Sequence, residues 1–250
     1  MLRVGRSTPA SFAAALSLSS VAIFAQVGPS GVLSTAKASA PIDITGTWVA
    51  VVTEDWRYRM VTPAKGDYAS VPMNAEGRKF ADAWDPAKDE AAGEQCKSYG
   101  APALMRVPGR VRISWRDDET MKVETDAGTQ TRLFHFKGNA EPGGGYQGSS
   151  VASWDVIGDG RGGPVRGGAL KVVTTKLKAG YLRKNGVPYS ANAELTEYYD
   201  RTNEPNGDSW LIVTTIVHDP QYLAQDFITS THFKKQADNS GWNPGPCMAR

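Results

Sequence analysis

The sequence predicts a mainly β protein: one antiparallel up-and-down barrel of about eight or nine strands, with two short helices inserted after the first strand. Three observations predict it. Apolar and polar residues alternate along residues 110–116, and Asn-Gly turn signals occur at 185–186 and 206–207. The 26 glycines and 15 prolines among 250 residues indicate many turns. No linker or internal repeat divides the chain, so a single barrel domain is expected over residues 41–250.

The first 38 residues have the layout of a secretory signal peptide. Two arginines precede an apolar run over residues 11–25, and small residues up to the sequence Ala-Lys-Ala at 36–38 follow it. Cleavage is expected after residue 38, or alternatively after residue 40, and the protein is expected to be periplasmic or secreted. No later apolar run reaches the ~20 residues that a membrane-spanning helix requires, so no membrane span is predicted.

The charge balance argues against a nucleic-acid partner. The whole chain carries 28 basic and 26 acidic residues, which gives a formal net charge of +2. Three of the basic residues lie in the predicted leader, and without them 25 basic residues face 26 acidic ones, a net charge of −1. This balance leaves no basic field for nucleic acid or an anionic membrane.

The two cysteines, Cys96 and Cys247, predict a disulfide. Both lie outside the predicted leader, and a lone pair of cysteines in an oxidising compartment most often forms a bridge. The bridge would tie the end of the helical region to the C-terminal segment. The alternative is two free thiols, one of them catalytic, although no histidine lies near Cys96 in the sequence to activate it.

Residues 46–60 predict the strand that opens the barrel. Glu54, Trp56 and Tyr58 fall on the same face of this strand as Trp48. If that face is inside, a carboxylate lies beside aromatic rings in the barrel, so these three are candidate ligand-binding residues. The alternative is a strand that leaves the core after Val52 and turns polar at its end.

Two helices are predicted after this strand. Asn74 is suited to cap a helix over residues 75–84, because its side chain accepts hydrogen bonds from backbone amides. Pro86 suits the first turn of a second helix that extends to about residue 95. From residue 110 onward the sequence predicts strands.

The turn at residues 127–128 predicts the register of two strands. If these residues form a two-residue loop, Val123 lies opposite Arg132. Phe134 then faces the core, and His135 lies on the polar, solvated face. His135 is therefore not a candidate site residue.

The two Asn-Gly turns predict the pairing of three later strands. A two-residue turn at each places Thr174 opposite Glu197 on one side and Ile216 beside Glu197 on the other. One face of this sheet then holds Glu197, Tyr199 and His218. Both faces are largely apolar, so the sheet is expected to be covered on both sides.

That face supplies the candidate catalytic residues. If it lines a cavity, Glu197 or His218 is suited to act as a base and Tyr199 as an acid on a bound small molecule. Tyr189 is a further candidate ligand-binding residue. The alternative places Glu197 and His218 near the barrel rim, paired with Lys176 and water.

No metal site and no cofactor are predicted. The three histidines are too far apart along the predicted strands to share a metal, and no His/Cys/Asp cluster has metal-ligand spacing. The glycine-rich segment 158–163 loosely resembles a phosphate-binding loop. We reject that interpretation, because a strand follows it and the phosphate cradle requires a helix.

The sequence Gly46-Thr47-Trp48 resembles the Gly-x-Trp signature that begins the first strand of lipocalins, and the hairpin-connected strands are similar to the up-and-down order of that superfamily. The two helices after the first strand depart from the lipocalin pattern. The chain also resembles a family of secreted, uncharacterised bacterial barrel proteins, in which segments akin to 129–132, 185–190 and 217–220 recur. These resemblances imply a lipocalin-like (calycin-type) barrel and export, and they supply no reaction.

The predicted function is binding of a small, largely hydrophobic molecule by an exported soluble barrel, because a closed barrel of about eight strands can enclose one ligand. The alternative is a cofactor-free barrel enzyme of the isomerase, cyclase or hydratase type that uses the acid–base residues named above. The oligomeric state is left open by the sequence.

Overall fold

The computed structural model of the protein describes residues 1–2, 34–137, 142–158 and 167–250. The predicted leader lies mostly outside the described residues, so the signal peptide stays a prediction. The described strands are β1 (Gly46–Val51), β2 (Arg110–Asp117), β3 (Thr120–Thr125), β4 (Gln130–His135), β5 (Ser149–Ile157), β6 (Gly167–Thr175), β7 (Gly180–Arg183), β8 (Val187–Tyr189), β9 (Glu194–Asn203), β10 (Ser209–His218) and β11 (Phe227–Lys235). The described helices are α1 (Trp56–Arg59), α2 (Ala75–Asp82), α3 (Pro86–Ala91), a 3-10 helix (Gln95–Tyr99) and α4 (Ala101–Leu104).

Nine strands close into a barrel in the order β1-β11-β10-β9-β6-β5-β4-β3-β2, with β2 paired back to β1. The mainly β barrel with short helices is therefore confirmed. One pair departs from the up-and-down pattern: β4 and β5 run parallel and pair only at Phe134 with Ser150 and at His135 with Val151. Parallel neighbours cannot be joined by a tight hairpin, so the chain between β4 and β5 has to cross over.

Side chains fill the central section of the barrel. Trp48 is fully buried, its indole nitrogen donates to the Ile44 carbonyl oxygen at 2.9 Å, and the Lys235 amine lies 4.5 Å from its ring. Alternate positions of each strand face inward and supply the rest of the core. The other large side chains of this core are those of Met121, Phe134, Leu170, Tyr199 and Phe233.

The predicted length of the first strand is wrong. β1 ends at Val51, and Asp55 then turns the chain with φ of 50°, after which α1 begins. Trp56 therefore lies on the surface, where 64% of it is exposed. The alternative interpretation is correct in that the chain leaves the core near Val52, but a helix and not a polar strand end follows.

The helices lie over one end of the barrel, which we call the capped end. Asn74 caps α2 as predicted, because its side-chain oxygen accepts from the Gly77 amide at 2.9 Å. Its side-chain nitrogen donates to the carbonyl oxygens of Pro220 and Gln221, in the connection between β10 and β11. Pro86 begins α3, which ends before the predicted limit and is followed by the 3-10 helix. Among the described residues, no helix has the length and apolar character needed to cross a membrane.

The predicted register of β3 and β4 is confirmed, with Val123 opposite Arg132. Thr125 pairs with Gln130 across the turn, and Gly128 adopts a φ of 76°, a conformation that glycine tolerates without strain. Phe134 is buried as predicted, and Arg132 faces the interior with it.

The predicted registers of β6, β9 and β10 are wrong, for two different reasons. β6 ends at Thr175 and the β7–β8 hairpin is a separate excursion, so Val172 lies opposite Glu197 in place of Thr174. That shift of two residues preserves the face. Between β9 and β10 the loop runs from residue 204 to 208, so Thr215 lies opposite Glu197. That shift of one residue reverses the face of every β10 side chain, and it places His218 outside the barrel.

The disulfide between Cys96 and Cys247 is confirmed, and the free-thiol alternative is wrong. The bond joins the 3-10 helix to the C-terminal segment. It closes a loop of 151 residues, which strongly restricts the unfolded chain.

Replacing both cysteines with serine should lower the free energy of unfolding by about 3–5 kcal/mol, because the loop closed by the bond is long. Urea denaturation of the oxidised protein and of the double variant measures this difference. Wild-type protein unfolded in the presence of a dithiol reductant should match the variant. A loss below about 1 kcal/mol would contradict a stabilising role for the bond.

Candidate functional site

The structure separates the three predicted catalytic residues. Glu197 and Tyr199 lie inside the barrel and are fully buried. The His218 side chain is 63% exposed on the outer face, where its Nδ1 lies 2.7 Å from Asp226 Oδ1. The ring therefore contacts neither of the other two residues, and the three do not form one site.

Glu197 belongs to a buried polar network. Its two carboxylate oxygens accept from Arg132 Nη1 at 2.9 Å and from Nη2 at 2.6 Å, and the two side chains are 0% and 1% exposed. The Tyr199 hydroxyl donates to the same carboxylate at 3.1 Å. Arg132 Nη2 also donates to Thr174 Oγ1 at 3.1 Å, and that oxygen lies 2.8 Å from Ser150 Oγ.

The network stabilises the weakest part of the barrel wall. Its members come from the neighbouring strands β4, β5, β6 and β9, and β4 pairs with β5 at only two positions. Burial by itself acts to lower the pKa of Arg132, but the Glu197 carboxylate raises it. Burial and the same carboxylate raise the pKa of Tyr199, so its hydroxyl stays protonated and donates. The geometry therefore gives Glu197 a structural role.

We did not predict Arg132 as the partner of Glu197, although the sequence contains a signal for this pair. The predicted register of β3 and β4 places Arg132 on the inward face together with Phe134. A charged residue at an inward position requires a buried counter-charge. Glu197, an acid on the inward face of β9, is that counter-charge.

Glu197→Gln should lower the free energy of unfolding by about 3–5 kcal/mol, because it leaves Arg132 buried without a counter-charge. The double variant Arg132→Met/Glu197→Leu should recover most of that loss, since it removes both charges. Denaturant unfolding measures both. The pair of Arg112 and Glu124, 3.1 Å apart with side chains 33% and 20% exposed, is the control, and Glu124→Gln should cost under about 1 kcal/mol. A similar, small loss for Glu197→Gln would contradict the structural role.

A second site lies at the capped end. A pocket of about 220 Å³ opens between α1, α4 and β7. Basic side chains dominate its polar lining. The side chains that bear on its chemistry are those of Tyr58, Arg59, Arg106, Arg183, Lys184 and Arg250.

Arg183 is a buried cation without a carboxylate partner in the described part of the chain. It is 4% exposed, its Nη1 donates to the Ala69 carbonyl oxygen at 2.6 Å, and its guanidinium carbon lies 4.3 Å from the centre of the Tyr58 ring. Its Nε and Nη2 have no hydrogen-bond partner among the described residues. Burial, together with the charge of Arg106, lowers the pKa of the Arg183 guanidinium to about 10, so it remains charged at neutral pH.

Arg59 and Arg106 are held in place by neighbouring acids. Arg59 Nη1 donates to Glu54, and Arg59 Nε donates to the Arg106 carbonyl oxygen at 2.9 Å. Arg106 Nη2 donates to Asp55 Oδ2 at 2.9 Å. Each arginine leaves one terminal nitrogen, Arg59 Nη2 and Arg106 Nη1, without a partner among the described residues. Burial acts to raise the pKa of Glu54, but Arg59 lowers it below its usual value, which keeps the carboxylate ionised.

The predicted ligand-binding residues fall into two groups. Tyr58 lines the pocket, and Glu54 lies behind it as the partner of Arg59. Trp56 points away from the barrel on the exposed surface of α1. Tyr189 is fully buried in β8, where burial, followed by the neighbouring Tyr146, raises the pKa of its hydroxyl. The structure therefore brings only Glu54 and Tyr58 to the pocket.

The rim of the pocket is apolar and exposed. Met60, Val61 and Met248 line it, and each is exposed to solvent. Large apolar side chains at the mouth of a concave site favour contact with an apolar surface. The pocket thus combines a cationic floor with an apolar rim.

Within the described ranges, no group of three or more His, Cys, Asp or Glu side chains is placed to hold a metal ion. Comparisons with protein-family models, with curated proteins and with solved structures found no match. The function is therefore inferred from the geometry of the site.

Proposed function

We propose that this protein binds a small molecule with an anionic group in the pocket at the capped end. The observation that carries the proposal is the state of Arg183, a buried guanidinium with two unpartnered nitrogens and no carboxylate partner in the described residues. A buried charge without a counter-charge is strongly destabilising. A ligand anion would supply that counter-charge, which makes Arg183 the centre of the binding site.

The apolar rim supports a ligand with an apolar body. Met60, Val61 and Met248 would contact that body while the anionic group lies on the floor. The proposal retains the predicted binding of a small, largely hydrophobic molecule, but it moves the ligand from the barrel interior to the cap. Packing around Trp48 and Tyr199 in the barrel favours this location.

We also infer that the protein functions outside the cytoplasm as an exported lipocalin-like barrel. The disulfide supports export, because the cytoplasm keeps most thiols reduced. The closed nine-strand barrel, which begins with Gly46-Thr47-Trp48, supports the lipocalin resemblance. Acid–base catalysis by Glu197 and His218 has no such support, since the two side chains lie on opposite faces of the wall.

Arg183→Met tests the proposal. Benzoate and phenyl phosphate are suitable probes, since each joins an anionic group to an apolar ring. At millimolar concentration at least one should raise the Tm of the wild-type protein, because a ligand that binds only the folded state stabilises it. The variant should lose this response. Without ligand it should be more stable than wild type by about 1–3 kcal/mol, because the uncompensated charge is gone.

Arg57→Met is the control, because Arg57 is an arginine of α1, beside the pocket, but it is exposed and pairs with Asp67 at 2.7 Å. This variant should respond to the probes as the wild type does. A wild-type Tm that neither probe changes, or an unchanged response in Arg183→Met, would contradict the proposal.

A further inference from the structure

We propose that the anionic group of the ligand is a phosphate monoester, held by the guanidinium groups of Arg59, Arg106 and Arg183. This inference rests on the proposed function and goes beyond it by naming the chemical class of the ligand. Three features of the pocket support it: its charge, the number of its donors, and its apolar rim.

The charge of the pocket matches a dianion. Arg59 and Arg106 already have carboxylate partners, so each contributes little net charge. Arg183 has none among the described residues, and Lys184 beside it has none within the same ranges; the Lys184 amine instead lies 4.9 Å from the centre of the Tyr99 ring. Arg250 is a further basic residue in the lining. At least two cations thus remain to be balanced. A phosphate monoester carries a charge of about −1.5 to −2 at neutral pH, whereas a carboxylate carries −1.

The donors also match a tetrahedral group. Four guanidinium nitrogens lack partners in the described residues: Nη2 of Arg59, Nη1 of Arg106, and Nε and Nη2 of Arg183. One guanidinium is enough to engage both oxygens of a carboxylate in a bidentate pair. A phosphate monoester presents three terminal oxygens in different directions, and the three arginines reach the pocket from different parts of the chain.

The arginines are close together and are held before any ligand arrives. All three arginines line the same pocket, and Arg59 Nε donates to the Arg106 carbonyl oxygen at 2.9 Å. Glu54 and Asp55 are consecutive residues at the turn before α1, and each binds a different arginine. Side chains fixed in this way lose little conformational entropy when they bind an anion.

The rim favours an ester over inorganic phosphate. A pocket of about 220 Å³ has room for a phosphate group, and the substituent would extend toward Met60, Val61 and Met248. Such an ester is either a soluble molecule or the head group of a lipid, and the two sources share the same recognition chemistry.

Isothermal titration of the wild-type chain with three probes that share a phenyl ring tests the inference. Phenyl phosphate is a tetrahedral dianion, phenyl sulfate a tetrahedral monoanion, and benzoate a planar monoanion. Phenyl phosphate should bind at least about tenfold more tightly than either of the others, because only it balances two cations. Inorganic phosphate should bind more weakly than phenyl phosphate, because it has no apolar group for the rim.

The outcomes separate this inference from the proposed function. Equal or tighter binding of benzoate or phenyl sulfate would overturn the phosphate assignment and leave anion binding in the pocket intact. Binding of none of the probes would overturn both. Arg183→Lys adds a test that keeps the charge: it should weaken phenyl phosphate binding at least about tenfold by removing the fork of donors. Unchanged affinity in this variant would contradict recognition by the guanidinium.

Vesicle sedimentation distinguishes the two sources of the ester. Phosphatidylcholine vesicles that contain phosphatidic acid, a lipid phosphate monoester, should retain the protein if the ligand is a head group. Sedimentation with vesicles that contain phosphatidic acid, and not with vesicles that contain phosphatidylglycerol, a phosphodiester, supports recognition of a monoester. If neither type of vesicle retains the protein but phenyl phosphate binds tightly, the ligand is a soluble ester. Equal retention on both vesicles would overturn monoester selectivity.

Discussion

The buried ion pair between Arg132 and Glu197 lies at the section of the barrel wall that has the fewest backbone pairings. Seven of the nine strands pair only with antiparallel neighbours, but β4 and β5 pair in parallel at two positions, which leaves a weakly bonded section of the wall. The ion pair, extended by Tyr199, Thr174 and Ser150, joins the strands on either side of this section. Buried charges of this kind are stabilising only when every partner is present. Each charge in the centre of the core therefore requires the other, and loss of one partner alone destabilises this part of the wall.

Arg132 and Arg183 are both buried, but they differ in their partners. That difference distinguishes a structural side chain from a candidate binding residue. Arg132 has a bidentate carboxylate partner, and its charge is fully balanced inside the protein. Arg183 is buried to a similar extent, but its polar partner in the described residues is a backbone carbonyl oxygen. The charge of Arg132 is balanced within the protein, although its Nε has no partner among the described residues, whereas the charge of Arg183 would be balanced by an anion from outside the chain. The disulfide lies close to the second site, since Met248 on the rim directly follows Cys247.

Local sequence signals predicted the elements that local chemistry determines. Asn74 and Pro86 marked the starts of two helices, and the turn at Gly128 gave the register that places Arg132 inside. The sequence did not reveal that the loop after β9 is longer than a two-residue turn, and that single difference moved His218 to the outer face. The pocket was not predictable in this way. Three of its arginines, Arg59, Arg106 and Arg183, are far apart in the sequence and come together only through the packing of the helices and β7. No motif or spacing in the sequence therefore indicates the pocket.

A crystal structure of the protein with phenyl phosphate tests the central claim most directly. Phosphate density in the pocket at the capped end, with oxygens about 2.7–3.1 Å from the unpartnered nitrogens of Arg183 and of at least one other arginine, is the predicted result. The phenyl ring should lie against the rim formed by Met60, Val61 and Met248. An empty pocket at saturating ligand, or density at another place such as the barrel interior, would contradict the assignment of this site.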